Sequence, residues 1–208
     1  TQKEAYNKQQ QEAEVEEAIQ ELIPAESGIT VTEILKIQER EMIRLLLNYG
    51  LQILADQEIS LSNYLLAEVE DLEMSTPLYT KILKIYREAL VKGEVPSVDY
   101  FIGFGDSEIQ KEVIDLVTMR HEVSVHWEDK HKIIINKESD DLSITGYKSI
   151  LRLKKKMVSK MMDEAKIKLK HAEQERQTED KIIGFQELYF ELKKVQLEID
   201  RELGIVIG

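Results

Sequence analysis

An all-α fold, a helical bundle followed by a long antiparallel helical hairpin, is predicted by three observations on the 208-residue sequence. Apolar residues recur at three- and four-residue spacings through most of the chain, the repeat of a helix with one buried face. Only 9 Gly and 3 Pro interrupt that repeat, few for a loop-rich or all-β chain of this size. Charged residues, mostly Glu and Lys, make up 33%, as in long solvent-facing helices, and 42% hydrophobic residues suffice for a core.

Residues 1–28 are polar and Gln-rich, with a thin apolar stripe at Val15, Ala18, Ile19 and Leu22. A helix burying so little is marginal alone, so this stretch reads as a linker, a tail or a frayed helix. Opening at Thr1 inside such a stretch, the sequence suggests a fragment of something longer. Pro24 and Gly28 punctuate it, and a bundle subdomain is expected over 29–137.

Within the bundle, Thr32 is the expected cap of a helix carrying Ile34, Ile37, Met42, Leu45 and Leu46, closed by Gly50. Ser60 or Ser62 starts a second, through Tyr64, Leu65, Val69 and Leu72. Thr76-Pro77 places a cap before a Pro at the first helical position. That third helix carries Leu78, Ile82, Ile85, Tyr86 and Leu90 and stops at Gly93. Pro96-Ser97 opens a short helix with Tyr100, Phe101 and Phe104. Asp106 or Ser107 caps the next, with Ile109, Val113, Leu116 and Val117. A further short helix is expected near Glu122–Lys130 around Trp127, and KIIIN at 132–136 has strand-like composition without an obvious pairing partner.

The hairpin is expected over 138–208. One stripe runs Tyr147, Ile150, Leu153, Met157, Met161, Ala165 and Leu169. After a polar turn near His171–Thr178, a second runs Phe185, Leu188, Leu192, Val195 and Ile199, and Gly204 supplies the stop. Gly146 and the polar stretch 136–141 mark either a hinge between the subdomains or the start of one continuous bridging helix.

The chemistry-bearing residue types do not converge. Without cysteine there is no disulfide, thiol nucleophile or Cys-based zinc site. His121, His126 and His131 recur every five residues, about 140° apart on a helix, so they cannot share one ion. HEVSVH at 121–126 is one residue too long for the metalloprotease pattern, and GFGD at 103–106 lacks the strand and the Gly-Lys-Ser/Thr of a phosphate loop. No catalytic residue, metal or cofactor is expected. No apolar run approaches the roughly 20 residues of a membrane span, and the expected setting is soluble and cytoplasmic.

Charge is uneven. The net −12 argues against general nucleic-acid binding. Between Lys148 and Lys170, however, nine basic residues stand against two acidic ones, a local balance of +7. This is either a charged outer face partly paired with the acidic helix beside it, or a contact face around Arg152, Lys155, Lys156 and Lys160 for an acidic protein or a nucleic acid. Interleaved aromatic stacking residues are absent there, against single-strand binding.

The segment QEREMIRLLLNYG (38–50) resembles the first helix of the C-terminal domain of bacterial DnaG-type primases. TPLYTKILKIYREALVKGEVPSVDYFI (76–102) is similar to that domain's following helix-loop-helix. YKSILRLKKKMVSKMMDEAKIKL (147–169) and ELKKVQLEIDRELGIVI (191–207) look like its terminal hairpin. The resemblance covers about 30–208 and rests on helical patterns; region 121–146 departs from it. It implies a non-catalytic region of a primase, whose parent would be a DNA-directed RNA polymerase, with residues 1–28 as the tether. The implied partner is the N-terminal domain of the hexameric replicative helicase, to which the region would recruit primase. The alternative is a helical nucleic-acid-binding or scaffold domain using the basic 148–170 face. A partner surface is expected on the last helix and tail, at Tyr189, Phe190, Glu191, Lys194, Glu198, Arg201, Glu202, Ile205, Val206 and Ile207. The three β-branched residues either fold back on the core or enter a partner groove.

Overall fold

The structure, a computed structural model, describes residues 31–54, 58–118 and 138–205. These residues form seven α-helices and one 3-10 turn, and no strand beyond an isolated antiparallel bridge between Ile53 and Ser60. The all-helical architecture, with bundle and hairpin, is as the periodicity predicts. The 1–28 tail, the Trp127 helix, the KIIIN stretch, His121, His126 and His131 lie outside the described residues. Two compact units divide the chain: Lys36–Ile150, and Leu151–Gly208 with Thr1–Leu35.

The first unit holds most of α1 (Val31–Tyr49), then α2 (Leu61–Glu68), α3 (Pro77–Lys92), α4 (Val98–Ile102) and α5 (Ser107–Val117). A 3-10 turn, Glu138–Asp141, follows, and then the first turns of α6 (Leu142–Gln174). Helix starts obey local chemistry. Ser60, Ser97 and Asp106 each accept a hydrogen bond from a first-turn amide, at 3.2 Å from Asn63, 3.4 Å from Tyr100 and 3.0 Å from Glu108. The stop at Gly93 is left-handed, φ 73°, as a C-terminal glycine permits.

Two starts differ from expectation. Helix α1 is already helical at Val31, so Thr32 lies inside its first turn. At α3 the Thr76 hydroxyl makes no cap bond. A carboxylate from α1 does the work: Glu39, fully buried, accepts from the Ser75 N–H at 2.5 Å and the Thr76 N–H at 3.0 Å. A buried charge survives only with such donors, and the positive end of the helix dipole adds to them. The buried stripe of α1 therefore runs through Glu39, Met42, Ile43 and Leu46, while Ile37 is exposed.

Large side chains fill this unit: Tyr79, Ile82, Tyr86, Phe101, Ile109 and Met42 are fully buried. The Tyr86 and Phe101 rings stack with centroids 6.2 Å apart. Gly50 closes α1 through its N–H to the Leu46 carbonyl at 3.0 Å. A Cβ there would run into that carbonyl and the Tyr86 hydroxyl, so close approach rather than backbone hand demands glycine. Arg40 binds Glu112 and Asp115, and the Tyr79 hydroxyl donates to Glu112 at 2.9 Å. Burial first, and then that bond, holds the Tyr79 phenol above its usual range. Arg44 grips both Glu41 and Glu138, and its hydrogen bond to Glu41 is the largest cause raising its pKa.

Gly146 is no hinge. It is buried in the second turn of an unbroken α6, where a Cβ would meet Leu61 Cδ1 at 2.8 Å. Beside it, burial pushes the Tyr64 phenol up to about 12, with Glu68 and Tyr147 adding to the rise.

The second unit is built on α6 from Leu151 onward and α7 (Glu179–Glu202). Three cross-helix pairs set an antiparallel ladder: Lys155 with Asp200, Ser159 with Gln196, and Lys166 over the Tyr189 ring. Its core is Leu151, Val158, Met162, Ala165, Leu192 and Ile199, with Tyr189 and Leu203 packed on it half-buried. The predicted α6 stripe is thus partly displaced: Val158 and Met162 face α7, while Met161 and Tyr147 are exposed. Apolar doublets such as Met157-Val158 and Met161-Met162 fit two adjacent stripes equally well, and only the register against α7 decides between them.

Candidate docking surface

Helix α7 starts at Glu179 after Thr178, whose side chain makes no cap bond; Glu179 and Asp180 instead place negative charge in the first turn. It ends in a tight left-handed cap. The Gly204 N–H donates to the Arg201 carbonyl at 3.0 Å and the Ile205 N–H to Asp200 at 2.8 Å, with Gly204 at φ 70°. The loop before α7 uses the same cap without glycine: Arg176 sits at φ 52°, and Gln177 donates to the Ala172 carbonyl at 2.9 Å.

Which face of α7 is buried differs from the predicted stripe. Leu192 and Ile199 are buried, but Leu188 and Val195 stand 43% and 42% exposed. The inward row is Phe185, Tyr189, Leu192, Gln196, Ile199 and Leu203, spaced 4, 3, 4, 3, 4, of which only Leu192 and Ile199 are buried, each 8% exposed. Tyr189, expected partly outward, turns onto the hairpin core, its ring 5.6 Å from Lys166 Nζ. Its neighbour Phe190 meets it edge-on at 6.1 Å and is 63% exposed, the most open aromatic side chain among the described residues of this helix.

Around Phe190 the surface is polar. Glu191 and Lys194 form an exposed ion pair at 2.6 Å. Glu198, Arg201 and Glu202 are exposed, and so is Ile205 just past the cap. Val206 and Ile207 lie outside the described residues. The described residues among those named from sequence, Tyr189 to Ile205, share one helix and its cap, with Tyr189 turned inward. Sequence reasoning missed Ile183, Leu188 and Val195 as exposed apolar positions. The signal that could have found them is the second row of period 3.5 beginning at Phe185 and passing through Tyr189.

Two residues of the basic run are engaged within the hairpin. Lys155 is spent on Asp200, a carboxylate 7% exposed, and Lys166 is shared between Asp163 at 3.2 Å and the Tyr189 ring. Arg152 is exposed, and Lys156 and Lys160 are half-buried. Two cations of the run, the half-buried Lys155 and the exposed Lys166, thus make contacts across the hairpin.

Among the described residues no group of three or more His, Cys, Asp or Glu side chains could hold a metal ion. No described helix is long and apolar enough to cross a membrane. The first unit carries an open groove of ≈ 590 Å³ lined by Val69, Leu72, Met74, Leu83, Lys84 and Arg87 among others. A family model described as "Domain of unknown function (DUF8430)" matches residues 25–206. No curated protein and no solved structure matches the chain.

Proposed function

We propose, starting from a chain that belongs to the family described as a domain of unknown function (DUF8430), that it is a non-catalytic docking module of the primase C-terminal type. On this reading it binds the N-terminal domains of the hexameric replicative helicase through the open side of α7 and the tail beyond Gly204.

One observation carries the reading. Phe190, an aromatic side chain 63% exposed in mid-helix, is in ring contact with the half-buried Tyr189 and has the exposed pair Glu191 and Lys194 within a turn of it. Aromatic anchors within a polar rim are where binding energy concentrates in protein interfaces. The helical patterns that resemble primase supply the identity of the partner. The competing nucleic-acid reading is weakened by the pairing of Lys155 with the buried Asp200.

The test is to mix the chain with helicase hexamer and measure the mass of the complex by light scattering. A complex is expected, and Phe190→Ala should weaken it by about 2 kcal/mol, roughly 30-fold in Kd, with helicity unchanged. An unaltered hexamer mass at micromolar concentrations refutes the helicase as partner.

A further inference from the structure

Helix α6 is buried on two sides. Toward α7 lie Leu151, Val158, Met162 and Ala165. At about 100° per residue, Leu153 and Ile167 stand about 140° and about 180° around the helix from Val158, facing away from α7. Leu153 is nevertheless 0% exposed and Ile167 7%, and both lie outside the hairpin's core cluster. Met157, Lys156 and Lys160, near the same line, are half-buried. Helix α7 cannot be what covers this side. We propose that the chain's own segment ahead of Val31 covers it, with Val15, Ala18, Ile19 and Leu22 laid on Leu153 and Ile167 and its glutamates among the lysines of α6.

Attachment, reach and charge each point to that occupant. The first residues of α1, 31–35, belong to the same compact unit as Leu151–Gly208, so the chain enters α1 from the hairpin. Leu153 and Ile167 are about 21 Å apart along α6, whereas the 30 residues ahead of Val31 span about 45 Å even at helical rise. The apolar stripe of the segment is narrow, as suits a strip no wider than Leu153, Met157 and Ile167.

Charge separates this segment from the rest of the chain. Residues 1–30 hold seven glutamates against two lysines, and Glu14, Glu16, Glu17 and Glu21 crowd around the stripe. From Lys148 to Lys170 the balance is the reverse, nine basic residues against two acidic. Half-burying Lys156 and Lys160 costs less when carboxylates lie opposite them. Residues 119–137, also outside the described residues, carry four basic residues against three acidic and offer no such complement. A second copy laid α6 to α6 would set lysine against lysine. The basic run thus finds its counter-charge within the chain. The inference is independent of the docking reading, which uses the open side of α7.

The experiment uses the absence of cysteine, so that one introduced thiol reports one position. Leu153→Cys, Ile167→Cys and, facing α7, Leu192→Cys are made singly in the full chain, and each thiol's rate of reaction with a soluble aromatic disulfide is measured. Adding Ile19→Asp with Leu22→Asp should speed reaction at 153 and 167 at least about tenfold, because the stripe can no longer stay buried, and leave 192 unchanged. Glu16→Lys with Glu17→Lys and Glu21→Lys, which keeps every apolar side chain, should speed 153 and 167 roughly threefold.

Unchanged rates at 153 and 167 in the aspartate variant overturn the proposal and assign the cover to another part of the chain. Should all three thiols quicken together, the aspartates have unfolded the hairpin and the lysine variant decides: rates there equal to the parent's overturn the proposal. Protection at 153 and 167 that is lost on dilution identifies a second copy as the cover and overturns it as well.

Discussion

The bundle unit and the hairpin unit bury their residues by different rules. In the first, Tyr79, Ile82, Tyr86, Phe101 and Ile109 are sealed from water, and even a carboxylate, Glu39, is fully inside with both oxygens bonded. In the second, a six-residue cluster lies between the two helices with Tyr189 and Leu203 half open beside it, and Leu153, Ile167 and Ala172 are buried outside that cluster. Both units also leave apolar side chains open, Ile53, Val91 and Phe104 in the first and Leu188, Phe190 and Val195 in the second. On α7 the only buried apolar side chains are Leu192 and Ile199, so that helix presents Leu188, Phe190 and Val195 outward. A face left uncovered in this way is where a partner can gain binding energy.

Alkaline titration should break the comparison most sharply, because the raised phenols lie in the bundle. Tyr64, Tyr79 and Tyr86 all have pKa values above the ordinary 10.0, burial being the leading cause, and Tyr64 reaches about 12. A pKa raised in the folded state means that the neutral phenol is favoured there. The stabilisation is complete below 10 and is lost as pH rises through about 12. Urea midpoints followed by circular dichroism should fall across that window; a flat profile would show that these phenols ionise without cost.

Next in size come truncations in the two cores. Tyr79→Ala should lower unfolding free energy by about 4 kcal/mol and Leu192→Ala by about 2, since the second site already touches water and leaves a smaller cavity. Equal losses would erase the distinction between the units. Glu39→Gln should cost about 2 kcal/mol, because the amide presents an N–H₂ group to one of two amides that need an acceptor. Its far-ultraviolet spectrum should stay helical.

The smallest effect has the opposite sign. Arg176 holds a left-handed backbone that disfavours any residue with a Cβ, so Arg176→Gly should raise stability by about 1 kcal/mol. A loss instead would mean that the arginine side chain contributes more than its backbone strain removes.

The sequence carried the helical class, the caps at Ser60, Ser97 and Asp106, and the stops at Gly93 and Gly204, because each depends on a few neighbouring residues. It did not carry the register of the hairpin. Leu188-Tyr189 and Met161-Met162 put apolar side chains on adjacent lines, and the choice between lines is made by the facing helix. Glu39 was invisible for a related reason: a charged residue within an apolar stripe reads as a break unless the amides it satisfies, at Ser75 and Thr76, are known to come to it. Of the candidate surface, α7 was legible from its aromatic and charged residues, whereas the inward turn of Tyr189 and the open row through Leu188 were not.

The Glu39 cap also has a consequence in time. Helix α3 cannot close its own N-terminus, since the Thr76 hydroxyl makes no cap bond and the acceptor for the Ser75 and Thr76 amides lies 36 and 37 residues earlier in the chain. Amides at a helix start ordinarily trade their protons with water by local fraying. These two can do so only when α1 withdraws its carboxylate, an event that uncovers Met42, Ile43 and Leu46 as well. Their exchange should therefore be as slow as that of the bundle's innermost amides, making the first turn of α3 a clock for the opening of the whole unit.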